Sequence, residues 1–329
     1  MDNTKPKQMK IIKTFALALL PAALLSSCLS SGSEPKDEAT YTYGGEACFN
    51  YVTDLETGDV ATYQGVNYSM RFDYTGETVK VDMTNLKLSS DLSGLSFKLP
   101  ELPLKVDQTS GLFEIKGSNL TPENVNASST TVFDKFTLRS NPSRMLLFNN
   151  SWRLYPIYLL NYTINNRYEV ACFPVVNVFV GTTVSRYTDS TGSPKSYTDK
   201  ESNKYVVQLN HEKKTADISF YDMKFGETLP TQSFMIKGVP VKFNNNGFTI
   251  TPEADTVYKL YYFGNGKEIE GCSLTNLRAS STLTSGVTAI NFTVDLSALT
   301  MSYQLGVYDV SSSLGFYFPV SNDNNNGGK

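Results

Sequence analysis

The sequence predicts an all-β protein: two tandem, internally duplicated antiparallel β-barrel or β-sandwich domains, preceded by a short apolar segment and a polar tether. Three observations carry that prediction. Tyr68 to Leu88 (YSMRFDYTGETVKVDMTNLKL) aligns without gaps on Tyr205 to Phe225 (YVVQLNHEKKTADISFYDMKF), an offset of 137 residues. In both copies apolar residues recur with a period of two, the spacing of a half-buried strand. Clusters of Gly, Asn, Asp and Pro punctuate the chain at intervals of roughly 8 to 15 residues, and no long segment carries a helical period.

The N-terminal element is read first. Phe15 to Leu25 is eleven residues of Phe, Ala, Leu and one Pro behind the basic stretch Met9-Lys10-Ile11-Ile12-Lys13. A helical span of a bilayer needs about 20 apolar residues, so a permanent transmembrane helix is not expected. A basic region, a short apolar region and small residues before a cut are the parts of a secretory signal. Leu25-Ser26-Ser27-Cys28 closes the run and resembles the lipobox of a bacterial lipoprotein signal peptide. That resemblance implies removal of residues 1–27 and acylation of Cys28. Residues 28–40 are rich in Ser, Gly, Glu and Lys without apolar periodicity, as expected of a lipidated flexible tether. Within it Lys36-Asp37-Glu38 is similar to the surface-export signal of Bacteroidetes lipoproteins, which implies an outer-membrane protein facing outwards; the alternative is one facing the periplasm.

Residues 41–168 form the first β domain and residues 169–310 its repeat. Met70 and Phe72, then Val79, Val81 and Met83, correspond to Val207 and Leu209, then Ala216, Ile218 and Phe220, so each copy opens with a hairpin. The phase slips by one residue afterwards in both, because Leu86 and Leu88, like Met223 and Phe225, lie on the opposite parity. A β-bulge at Thr84-Asn85 and at Tyr221-Asp222 accounts for the slip. Leu102-Pro103-Leu104 then aligns with Val239-Pro240-Val241, prolines that belong at an edge or a bulge. Further on, Leu138-Arg139 matches Leu277-Arg278, Asn161 to Ile164 matches Asn291 to Val294, and Tyr168-Glu169-Val170 matches Tyr308-Asp309-Val310. Ala47-Cys48-Phe49 and Ala171-Cys172-Phe173 read as equivalent starts of the two units. Residues 311–329 are a C-terminal strand, Leu314 to Val320, and a polar tail.

The hairpin followed by an aliphatic-Pro-aliphatic strand is similar to the lipocalin-like, calycin-like β domains of Bacteroidetes outer-membrane lipoproteins. The resemblance implies a binding module. The same plan, two β domains behind a lipid anchor, resembles fimbrial subunits and surface glycan-binding proteins.

Composition narrows the chemistry. Loss of residues 1–27 removes four lysines and Asp2, leaving 25 basic and 31 acidic side chains, a net charge of −6. A nucleic-acid partner is not expected of such a chain. A single histidine, His211, rules out multi-histidine metal sites, and its place in the Asn210 to Lys214 turn predicts a solvated ring. Carboxylates such as Glu114, Glu169, Asp255 and Glu270 fit no hydrolase signature, and no phosphate loop is present. No enzyme, cofactor or metal is therefore expected. With Cys28 acylated, Cys48, Cys172 and Cys272 are an odd set, read as thiols that do not meet.

Aromatic residues supply the ligand candidates. Tyr, Phe and Trp make up 12 % of the chain, with clusters at Tyr41/Tyr43, Trp152/Tyr155/Tyr158, Tyr261-Tyr262-Phe263 and Phe316-Tyr317-Phe318. Consecutive aromatics on a strand point to both faces, so at least one ring looks outward unless both faces are covered. Trp152, Tyr155, Tyr261 and Tyr262 are the candidate ligand-facing rings, for a glycan or a small apolar ligand. Asp189-Ser190-Thr191 and Asp255-Thr256-Val257 resemble the acceptor triplet of Bacteroidetes O-glycosylation, which makes Ser190 and Thr256 candidate modification sites. The alternative function is a structural or adhesive subunit that self-associates by strand addition through Leu314 to Val320.

Overall fold

The computed structural model describes residues 38–316 except 74–75, 108–111, 116, 127–132, 139–142, 149–150, 157–159, 201–202, 246, 264 and 283–296. Among the described residues every regular element is a strand and every sheet pairing is antiparallel. Cys28, Lys36 and Asp37 lie outside them. Glu38, expected in the tether, instead opens the strand Glu38–Gly44, which pairs with Asn67–Asp73 from Glu38↔Asp73 to Gly44↔Asn67.

The second unit is a closed barrel of eight strands. Its circuit runs Val176–Thr188, Lys204–Asn210, Thr215–Met223, Gln232–Pro240, Tyr258–Tyr261, Glu268–Thr282, Ser297–Leu305 and Tyr308–Phe316, and the last strand pairs with the first. The interior is filled by side chains. Tyr205, Phe220, Phe234, Ile236, Leu274 and Tyr303 are all buried, and the Phe220 ring lies 4.6 Å from Phe234 and 5.3 Å from both Tyr205 and Tyr303. A small barrel packed in this way has a core where a ligand barrel has a cavity.

The first unit repeats the connectivity with its wall opened into two sheets, one carrying Asn67–Asp73 and Thr78–Leu86, the other Cys48–Asp54, Tyr168–Pro174, Asn161–Ile164 and Phe136–Leu138. Its core draws on both sheets, from Met70, Phe72, Val81 and Phe97 to Val52, Phe136, Tyr162 and Val170.

The hairpins and both bulges stand where the period-two pattern places them. Met70↔Val81 and Val207↔Ile218 are cross-strand pairs of the two hairpins. The register then shifts between Met83 and Leu86 in one unit and between Phe220 and Met223 in the other. Asn85 (φ 58°) and Asp222 (φ 53°) adopt the left-handed backbone that each bulge requires. Pro103 and Pro240 face the first residue of the second hairpin strand, Thr78 and Thr215.

The boundary between units differs from the sequence reading. Tyr168–Pro174 pairs with Cys48–Asp54 and completes the first unit, so the chain enters the barrel only at Val175. Tyr168–Pro174 is the counterpart of Tyr308–Phe316, each being the second strand of the hairpin that ends its unit. Two matches are thereby corrected. Ala47-Cys48-Phe49 and Ala171-Cys172-Phe173 are neighbours in one sheet, and the counterpart of Asn161–Ile164 in the second unit is Ser297–Leu305. Asn291 to Val294 lie outside the described residues. Cys48 and Cys172 are not in separate units: both are free and buried in the first unit's core, and burial pushes the Cys172 thiol up. Cys272 is exposed. The C-terminal segment is also revised, since residues 311–316 belong to the barrel wall.

Both faces of Cys48–Asp54 and Tyr168–Pro174 are covered. Cys48, Val52, Val170 and Cys172 face the first unit's core, while the intervening Phe49, Ala171 and Phe173 join the hydrophobic cluster of the second unit. Phe49 stacks on His211 (5.1 Å between ring centroids) and Phe173 (5.5 Å), and meets the Phe243 ring edge-on at 5.3 Å. Polar contacts rim this seam. His211 Nδ1 lies 3.2 Å from Thr62 Oγ1 and its Nε2 3.1 Å from Gln64 Oε1, and Asn245 Nδ2 donates to Glu169 Oε2. The connector itself is tied to both units: Val175 N donates to Ala47 O (2.9 Å) and Leu209 N donates to Val175 O (2.8 Å). His211, expected in solvent, is thus buried, and desolvation lowers its pKa from the usual 6.5.

Candidate binding surface

The packed barrel core moves the search for a site to the outer wall. Outward positions of adjacent strands line up as Ser219, Met235 and Tyr261, and Lys237 Nζ sits 4.9 Å above the Tyr261 ring. That geometry is a cation–π contact. Immediately after Tyr261 the chain turns. Tyr262 N donates to Lys267 O (2.9 Å), Gly266 N donates to Tyr262 O (3.2 Å) and Lys267 N donates to Asn265 Oδ1 (2.9 Å), a closed loop in which Gly266 has φ 62°. The turn leaves Tyr262 51 % exposed. Phe263 folds back to stack on Tyr221, with centroids 4.5 Å apart and planes 9° from parallel. Lys259 and Glu268 close the border with an ion pair of 2.9 Å.

The consecutive aromatics separate because the strand ends at Tyr261 and the chain turns there; alternation alone would have sent Tyr262 to the barrel interior. Tyr261 leans on Lys237, Phe263 is supported by Tyr221, and Tyr262 projects into solvent. The surface offers an exposed ring, Tyr262, between two chain neighbours that are each held: Tyr261 under the Lys237 ammonium and Phe263 stacked on Tyr221. Such a surface can stack on the apolar face of a sugar or another flat group. Tyr221 is partly desolvated in the stack, which raises its phenol pKa.

The other sequence candidates are spread over the molecule. Trp152 and Tyr155 lie on Ser151–Pro156, opposite Leu147 and Arg144 of the preceding strand, in the first unit. Tyr158 is outside the described residues. Ser190 is exposed at the tip of the Asp189 to Ser193 turn. Asp189 Oδ1 there accepts from Thr191 N, Thr191 Oγ1 and Ser193 N, at 2.9, 2.6 and 3.0 Å, and the Thr191 hydroxyl first among these bonds holds the carboxyl at about 2. The Thr256 hydroxyl is engaged, donating to Glu253 O at 2.7 Å. Of the carboxylates, Glu169 is consumed by the seam, and Asp255 and Glu270 are exposed. No group of three His, Cys, Asp or Glu able to hold a metal occurs among the described residues. Leu314 has its backbone paired on both sides within the barrel, to Gly181 and to Leu299, so this part of the segment expected to add to a neighbour is already used.

Sequence reasoning missed the seam and the buried polar sites inside the units. Tyr68 OH lies 2.9 Å from Asn50 Oδ1 and 3.0 Å from Tyr162 OH. Its repeat counterpart Tyr205 lies 2.7 Å from Ser312 Oγ and 3.2 Å from Thr183 Oγ1. The gap-free alignment of Tyr68 on Tyr205 was the one available signal.

No family model and no curated protein matches the chain. Among solved structures it is similar to the isotype 1 transferrin binding protein B of serogroup B Neisseria meningitidis, at 11 % identity and a TM-score of 0.22, over 87 % of this chain and 79 % of that one. It is also similar to intact Ap transferrin binding protein B with its N and C lobes, at 7 % identity and a TM-score of 0.19, over the same shares of the two chains.

Proposed function

We propose that the protein is a non-enzymatic binding lipoprotein, held at the outer membrane through Cys28, that captures a saccharide on the outer wall of its second unit. The observation that carries this reading is the exposed Tyr262, flanked in the chain by Tyr261 under Lys237 and by Phe263 stacked on Tyr221. The filled barrel core supports a surface site over an enclosed one. The Leu25-Ser26-Ser27-Cys28 segment supports the anchor, and Lys36-Asp37-Glu38 supports an outward orientation.

Two experiments test the reading. Screening on an array of oligosaccharides, followed by titration of the best ligand, should show binding that Tyr262→Ala weakens about threefold to tenfold with the melting temperature unchanged, the worth of one aromatic contact. No binding on the array, or binding indifferent to Tyr262→Ala and Tyr261→Ala, refutes the assignment. For the anchor, Cys28→Ala should abolish acyl labelling and move the protein out of the membrane fraction; retained labelling would overturn it.

A further inference from the structure

The duplication exposes a second surface with different chemistry. In the first unit the outer face of the closing hairpin is apolar and docks on the second unit through Ala171 and Phe173. The hairpins align Tyr168 with Tyr308, so the matching positions in the second unit are Ser311 and Ser313. The same wall that is an apolar docking face in one copy is therefore a hydroxyl face in the other, and Ser313 there is exposed among the described residues.

The hydroxyls form an ordered array. Cross-strand pairs Thr249↔Ser280, Ser280↔Thr300, Thr300↔Ser313 and Ser313↔Thr182 place five hydroxyl residues in one row over five adjacent strands. A second row runs Arg278, Ser302, Ser311. Strands lie about 4.8 Å apart and like-facing residues about 6.7 Å along a strand, so the rows present hydroxyls at a regular pitch. Of the three consecutive serines at 311 to 313, Ser312 points inward and bonds Tyr205 and Thr183, while Ser311 and Ser313 take the outward positions. A shallow, open groove of about 370 Å³ runs over this array, and Thr249, Ser280, Thr300, Ser302 and Ser311 line it with Arg278. Ile250, Ala279 and Met301 form its apolar floor. No carboxylate lines it in a chain whose net charge is negative, and Arg278 has no ion-pair partner among the described residues. A second guanidinium approaches from one end, with Arg186 Nη1 3.5 Å from Ser311 Oγ.

We infer that this groove is a second binding site, distinct from the aromatic surface, for a saccharide chain carrying an oxyanion, carboxylate or sulfate. The hydroxyl rows exchange hydrogen bonds with the sugar hydroxyls, and Arg278 pairs with the anionic group as a two-pronged donor. The rows carry hydroxyls where the first unit carries Ala171 and Phe173, which disfavours a third barrel docked as the second docks on the first. Charge complementarity selects the acidic saccharide over a neutral one.

The test uses the soluble mature chain with Cys28→Ser and three probes: a uronate oligosaccharide, the same oligosaccharide after carboxyl reduction, and a sulfated oligosaccharide. Calorimetric titration should show one or both anionic probes binding about tenfold or more tighter than the reduced one, with Arg278→Ala removing the preference and Arg278→Lys retaining part of it. Ser302→Val with Ser311→Val should weaken all three probes, and Tyr262→Ala should leave the preference intact, which separates this site from the aromatic one. Equal affinity for charged and reduced probes, no binding by any probe, or a preference that survives Arg278→Ala in a variant of unchanged melting temperature overturns the inference.

Discussion

Replacing Phe49 with alanine should uncouple the two units. The ring is fully buried, yet it faces away from its own unit's core and is held by His211 and Phe243 across the seam and by Phe173 beside it, all within 5.1 to 5.5 Å. Truncating a buried phenylalanine costs about 3 to 5 kcal/mol. At a urea dependence near 2 kcal/mol/M for a domain of this size, that cost lowers a midpoint by roughly 1.5 to 2.5 M. The single tryptophan, Trp152, belongs to the first unit, so its fluorescence follows that unit while far-UV circular dichroism follows both. In the parent the two urea transitions should coincide; in Phe49→Ala they should separate, because the lost contacts joined units rather than layers of one core. Phe72→Ala is the control, since Phe72 is equally buried but faces the first unit's interior. Coincident transitions in Phe49→Ala with a loss under about 1 kcal/mol would refute the seam.

Two further outcomes follow from the same structure. His211 is the chain's one histidine, and its folded pKa is lowered by burial, so above about 6.5 both folded and unfolded forms hold it neutral and stability is flat. As pH falls below 6.5 the unfolded chain takes up the proton first; stability should drop until pH passes the lower folded value, and His211→Gln should flatten that window in urea titrations run at stepped pH. At the bulges, Asn85→Val should cost about 1 to 2 kcal/mol more than Asn85→Gly, because both lose the bond to Gly65 O but only valine resists φ 58°. The same comparison at Asp222 in the second unit should give the same sign, read as thermal unfolding.

The hairpins, the bulges and the tandem duplication were legible because strand alternation writes itself into sequence, and a one-residue slip at Asn85 and Asp222 is as readable as the alternation. The unit boundary was not. Cys48–Asp54 and Tyr168–Pro174 are apolar on both faces, one turned to a core and the other to the seam, so each looks like the start of a unit when they are its first and last partners in one sheet. The solvated His211 failed for a related reason. Polar neighbours in a turn describe the local chain, and the burial comes from Thr62, Gln64 and Phe49 more than a hundred residues away. Of the aromatic candidates, Tyr262 is exposed because a turn follows Tyr261 and not through strand alternation, while the hydroxyl array could not be read because its members come from five strands and meet only through register.

The docking of one unit's wall on the other has a consequence for valence. A gene duplication of a binding module ordinarily doubles its binding equivalents, but here Ala171 and Phe173 commit one wall to holding the pair together and leave one wall per chain open. A ligand with repeating groups therefore gains nothing from the duplication within a single molecule. On the proposed reading, two-point attachment through two copies of this wall, worth about a hundredfold to ten-thousandfold, is available between neighbouring chains. Ligand capture should then depend on the lateral density of the protein and not on its copy of the fold.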